Sequence, residues 1–141
     1  MKILILCTGN SCRSQMAHGF LESFDKRLKV FSAGTEPALK VNPMAIDVMK
    51  KAGIDISNHK PTNVDKYLNE EWDYVITVCD HANEVCPVFP GKVRNRLHMG
   101  FEDPSGVKGN YTEVLNEFYR IRNDIRDEFY ILYESDLRKK L

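Results

Sequence analysis

The chain has 141 residues, the length of one domain, and its 43% hydrophobic and 28% charged content excludes a disordered or fibrous protein. Lys and Arg together number 20, as do Asp and Glu, and zero net charge argues against a nucleic-acid binder that works through overall positive charge. No apolar run approaches the roughly 20 residues of a membrane span. Lys2-Ile3-Leu4-Ile5-Leu6 is too short and too early for a secretory leader. The expected compartment is the cytoplasm, where thiols stay reduced. There, four cysteines point to catalysis, redox chemistry or metal binding rather than to crosslinks.

Residues Lys2–Cys7 form a continuous apolar run, the pattern of a strand buried on both faces of a parallel sheet. Thr8-Gly9-Asn10-Ser11 is turn chemistry. Ser14 then opens a helical stretch with Met16, Phe20 and Phe24 four residues apart. Lys29–Ser32 reads as a second strand that stops at Gly34. Asn42-Pro43 pairs an N-cap with a proline at the first helical position. Met44, Ile46, Val48 and Met49 populate that helix, and Gly53 ends it. Residues Asp65–Glu71 suggest a short helix. Tyr74–Cys79 is the clearest central strand and Arg96–Phe101 a weaker one. Val114, Phe118, Ile121, Ile125, Phe129 and Leu132 form a helical stripe, and the polar stretch beyond Ser135 is expected to fray. Strands alternating with helices predict right-handed crossovers. The reading is one α/β domain over residues 1–141, a flavodoxin-like, doubly wound, four-stranded parallel sheet. In such sheets ligands bind beyond the carboxyl ends of the strands, where Cys7 and Cys79 both fall.

Cys7-Thr8-Gly9-Asn10-Ser11-Cys12-Arg13-Ser14 is a strand end, a small-residue loop and a helix start. Such a segment turns backbone N–H groups inward at the positive end of a helix dipole, making a nest for a tetrahedral oxyanion. Arg13 is placed to grip two oxygens of that anion. The same field is expected to lower the Cys7 pKa, giving a thiolate that attacks the central atom of the bound anion. Ser14 is placed to donate to the sulfur or to the leaving oxygen. Cys12 belongs to the loop, and its thiol reads as a bystander.

The Cys-x5-Arg loop, the Asp103-Pro104 pair and the strand pattern resemble the low-molecular-weight protein tyrosine phosphatase superfold. More specifically, the run from Cys7 to Ala17, then Ser32-Ala33-Gly34 and Asp55-Ile56-Ser57-Asn58-His59, resemble the thioredoxin-coupled arsenate reductases. Gln15 stands where the phosphatases usually carry proline, as it does in the reductases. The resemblance implies reduction of arsenate to arsenite, with phosphate or sulfate as competing oxyanions and thioredoxin as electron donor. In that relay Cys79 attacks a Cys7–arsenic adduct, and Cys86 then attacks Cys79. It also implies that Asp103 protonates the leaving oxygen. Seven residues of straight helix would hold Cys79 and Cys86 roughly 10 Å apart, whereas a disulfide tolerates about 7 Å between Cα atoms, so this segment must loop out or unwind on oxidation.

Some reductases of this family bind potassium near the loop. Asn10 and Ser32 match its ligands, but His18 replaces the acid, which argues against potassium here. His18 reads as a solvated or packing residue, His59 as structural, and no cofactor or metal is assigned. Ser105 and Gly106 follow Asp103-Pro104 where phosphatases carry aromatic residues, which favours a small substrate. The expected state is a monomer. Two other readings compete. One is a tyrosine or small-phosphoester phosphatase using Cys7, Arg13 and Asp103, an activity the reductase would retain weakly. The other is a zinc or anion-binding module, for which the cysteine spacings are poor.

Overall fold

Four strands form one parallel sheet in the computed structural model, which describes residues 1–141. They are β1 (Lys2–Cys7), β2 (Lys29–Gly34), β3 (Trp72–Thr77) and β4 (Val93–His98), in the order β2-β1-β3-β4. The helices are α1 (Arg13–Phe24), α2 (Pro43–Lys51), the single-turn α3 (Asp80–Glu84) and α4 (Tyr111–Leu132). Parallel register sets Cys7 beside Gly34, and Leu6 beside Thr77. The active edge is therefore the common carboxyl end of β1, β2 and β3. No helix is long and apolar enough to cross a membrane.

The alternation within β1 explains its unbroken apolar run. Ile3, Ile5 and Cys7 face a large core shared with Met16, Val48, Met49, Phe118 and Ile125. Leu4 and Leu6 face a smaller cluster with Val64, Tyr67, Trp72 and Phe89. All four helices contribute to the large core. The opposite face is closed by a thinner layer, the 3-10 turn Val64–Tyr67 and the chain around Phe89. That turn stands where the sequence suggests a helix over residues 65–71. Asn63 caps it, and burial of Val64 and Tyr67 holds it. Asn42 caps α2 by accepting from the Met44 N–H, and Gly53 ends it at φ +80°, as the sequence predicts.

Two strands begin earlier than expected. Trp72 opens β3 because its ring is buried between Phe31 and Tyr67 and its N–H pairs with the Lys92 carbonyl. Val78 and Cys79 consequently lie just past the strand. β4 is an edge strand whose exposed residues Arg94, Arg96 and His98 alternate with half-buried ones, a charged edge that discourages pairing with other chains. Such a strand carries little apolar signal.

The tail beyond Ser135 does not fray. After α4 the chain makes a π-turn over Tyr133–Leu137 and a 3-10 turn over Arg138–Lys140. Leu137 is fully buried. The Tyr74 hydroxyl donates to Asp136, and the Lys140 ammonium donates to that same hydroxyl. Leu137→Ala is expected to destabilise the protein by about 2–4 kcal/mol, read from urea unfolding, and a loss below about 1 kcal/mol would show a loosely attached tail.

Candidate active site

Cys7 is the last residue of β1, and the loop after it is held rigidly. Asn10 adopts the left-handed conformation, φ +51°, which asparagine tolerates better than most residues. Its side chain donates to Ser14 Oγ at 2.8 Å and accepts from the Thr62 N–H at 2.9 Å. Its carbonyl accepts from Gln15 Nε2 at 3.1 Å. Gln15 is itself buried, and its Oε1 accepts from His59 Nδ1 at 2.9 Å. Gly34 lets the loop lie against β2, since a Cβ there would stand 2.5 Å from the Thr8 carbonyl oxygen.

With the backbone so fixed, the N–H groups of Gly9, Asn10, Ser11 and Cys12 donate to no acceptor within the protein. They border a cavity of about 200 Å³ lined by residues Cys7 to Arg13 together with Asp103 and Ser105. Arg13 Nη1 is anchored on the Phe101 carbonyl at 3.0 Å, while its Nε is buried without a partner. A buried guanidinium N–H with no acceptor is costly, and an anion in this cavity would satisfy it. Asp103 sits at the rim. One carboxylate oxygen accepts from the Ser105 N–H and hydroxyl, and the other is 3.7 Å from Arg13 Nη2. No aromatic side chain lines the cavity. Cys12 touches it, but its thiol lies in the core and burial raises its pKa to about 11, consistent with a bystander.

Cys79 is buried at the same sheet edge as Cys7, and each thiol shifts the other's pKa. The field of the site acts on both thiols and not on Cys7 alone. The Cys7 thiol lowers the Cys79 pKa to about 5, assisted by bonds from the Thr8 hydroxyl and the Ala82 N–H and by the Arg13 charge. The Cys7 pKa rises, through Cys79 and through burial. The two thiols therefore titrate as one coupled pair. The contacts from Thr8 and Ala82, at 3.3 and 3.4 Å, have no signal in the sequence.

Cys86 lies elsewhere. α3 stops at Glu84, so the straight-helix geometry does not arise, and Cys86 packs half-buried against the small cluster on the other face of the sheet. The sequence places Cys79 correctly beside Cys7, whereas Cys86 is brought to neither. His18 is the packing residue that the sequence allows, not a solvated one. Its Nδ1 meets Ser32 Oγ at 2.9 Å, its Nε2 meets Glu22 at 3.1 Å, and its ring lies 4.4 Å from that of His59.

A family model described as low molecular weight phosphotyrosine protein phosphatase matches residues 2–140. An arsenate reductase of Halalkalibacterium halodurans is 44% identical over 124 residues, 87% of this chain and 88% of that protein. Arsenate reductase 2 of Staphylococcus saprophyticus is 42% identical over 134 residues, 94% of this chain and 96% of that protein. Among solved structures, an arsenate reductase in the phosphate binding state superposes with a TM-score of 0.79 at 29% identity, covering 95% of this chain and 97% of that one.

The charge shared by the thiols has a spectroscopic consequence. Ultraviolet thiolate absorbance of the reduced protein should report one thiolate forming near pH 5, several units below an ordinary cysteine. Thr8→Val removes a donor and should move that transition upward. A first transition above pH 8 in the parent protein would contradict the arrangement.

Proposed function

The chain belongs to the low molecular weight phosphotyrosine protein phosphatase family, and from that premise we propose that it reduces arsenate to arsenite by a relay of Cys7, Cys79 and Cys86, with thioredoxin restoring the dithiol. The observation that carries the reading is a second buried thiol, Cys79, at the same sheet edge as the first, in contact with Thr8 of the oxyanion loop. A phosphatase needs one sulfur, because water completes its cycle. A reductase needs two electrons, which a dithiol supplies.

Arsenate enters the cavity and takes up the four loop N–H donors and Arg13 Nε. The Cys7–Cys79 pair holds one proton between its sulfurs. Binding of a dianion beside it moves the proton toward Cys79, leaving Cys7 as the nucleophile. Cys7 Sγ bonds to arsenic as an As–O bond breaks, and the leaving oxygen takes a proton from Asp103 and departs as water. Cys79 passes its proton to the Asp103 carboxylate left by the first step, and the resulting thiolate attacks Cys7 Sγ. The S–As bond breaks, its electron pair stays on arsenic, and arsenite leaves as the Cys7–Cys79 disulfide forms. Cys86 attacks Cys79 Sγ, which frees Cys7 and leaves a Cys79–Cys86 disulfide for thioredoxin. Two thiols are oxidised, arsenic gains two electrons, and one water is produced. Phosphate and sulfate compete for the same cradle, which also supports a weak phosphatase activity.

The last exchange requires movement, because Cys86 starts on the far face of the sheet. The Cys79 sulfur also caps α3 by accepting from the Ala82 N–H. Its entry into a disulfide weakens that acceptor and favours unwinding of a helix that is only five residues long.

The test is arsenate-dependent NADPH consumption with thioredoxin and thioredoxin reductase. Cys7→Ser, Cys79→Ser and Cys86→Ser should each abolish multiple turnover, while only Cys7→Ser removes phosphatase activity. Arg13→Lys should lower kcat/KM for arsenate by about 10²-fold or more, through loss of the planar fork. Hydrogen exchange over residues 80–90 should be faster in the oxidised protein. Full turnover by Cys86→Ser refutes the relay.

A further inference from the structure

We infer that His18, Glu22 and His59 form a zinc site outside the catalytic cavity. One donor atom from each residue lies within 4.8 Å of the other two. His18 and Glu22 stand one turn apart on α1, with Nε2 and Oε2 already 3.1 Å apart. His59 arrives from the segment after α2, its ring 4.4 Å from that of His18 and tilted by 35°. Tetrahedral zinc with bonds of about 2.0–2.1 Å separates its ligands by roughly 3.3 Å, so a modest closing of the three side chains is enough. The Glu22 carboxylate is 55% exposed and free to supply that motion, whereas the His18 side chain is 15% exposed and fixed.

The outer contacts are those a metal-binding histidine uses. Gln15 Oε1 accepts from His59 Nδ1–H, which leaves Nε2 of that ring with its lone pair free. In the structure His18 Nε2–H donates to Glu22 and Ser32 Oγ meets Nδ1; because a hydroxyl also accepts, the His18 proton can pass to Nδ1 when zinc takes Nε2. Polar partners that fix the tautomer and orientation of ligating imidazoles are half of a metal site. Two neutral imidazoles and one carboxylate suit zinc, and they do not suit magnesium, calcium or potassium, which favour all-oxygen sets. Water takes the fourth position.

The site adjoins the catalytic loop without sharing a ligand with it. His59 bonds Gln15, and Gln15 holds the Asn10 carbonyl. Zinc would therefore tie α1 to the segment after α2 directly behind the oxyanion loop, stabilising the fold in proportion to occupancy.

The test is calorimetric titration of Zn²⁺ into protein carrying Cys7→Ser, Cys79→Ser and Cys86→Ser, which removes thiol chelation. One ion per chain should bind, and ¹⁵N resonances of Nε2 in His18 and His59 alone should shift. Glu22→Gln, at an exposed position, should keep the fold and weaken binding by at least about tenfold. Its melting temperature should also lose the rise that zinc gives the parent. His59→Gln should abolish binding. Absence of saturable binding overturns the proposal, as does an affinity unchanged in both Glu22→Gln and His59→Gln. Reduction of arsenate plays no part in this readout, so its outcome is independent of the catalytic assignment.

Discussion

The thiols of Cys7 and Cys79 meet at the carboxyl edge of the sheet, where burial resists two negative charges and a guanidinium, a hydroxyl and a helical N–H stabilise one. Every functional feature of the molecule answers to that single shared charge. In the proposed relay it keeps one sulfur nucleophilic at neutral pH, and it moves between the sulfurs as an anion enters or leaves the cradle. In the proposed relay it also sets the order of events, because the sulfur that holds the proton in one step attacks in the next only after giving that proton up.

The surroundings of this pair divide into a rigid half and a yielding half. On the rigid side, Asn10, Gln15, His59, Thr62 and Gly34 lock the oxyanion loop through buried hydrogen bonds and one close backbone approach. Donors preorganised in this way lose little on reaction. On the yielding side, α3 is a single turn whose cap is a reactive sulfur. Its first residue is tethered through the Asp80–His98 contact at 3.0 Å, and farther on Gly91 packs against the Glu70 backbone. The stretch between these two anchors is the part that must travel.

Much of this was legible in the sequence, and the exceptions have physical causes. The strand β1, the loop after it, both ends of α2 and the placement of Cys7, Arg13 and Cys79 on one edge all follow from local chemistry and period. The start of β3 did not, because it depends on Trp72 finding Phe31 and Tyr67 across the sheet. The start of β4 was missed because an edge strand alternates charge with partial burial. The tail beyond Ser135 looked polar, yet Leu137 and the Tyr74–Asp136–Lys140 contacts dock it, which no periodicity within the tail reveals. At the site, the sequence assigned the thiolate to Cys7 from the loop alone. The charge moves toward Cys79 because Thr8 and Ala82 also donate there, and both contacts are long-range or cap-specific. The sequence leaves His18 as solvated or packing because its partners, Ser32 and His59, come from different segments.

The thin cover over the second face of the sheet has its own consequence. Phe89 and Cys86 roof the small cluster of Leu4, Leu6, Trp72 and Val75, with the Arg96 guanidinium lying 5.5 Å from the Phe89 ring. Drawing Cys86 across toward Cys79 strips tiles from that roof. In the proposed relay the spent enzyme would then differ from the fresh one by a newly bared greasy patch next to its disulfide, and a reductant would distinguish the two by touch before any sulfur exchanges.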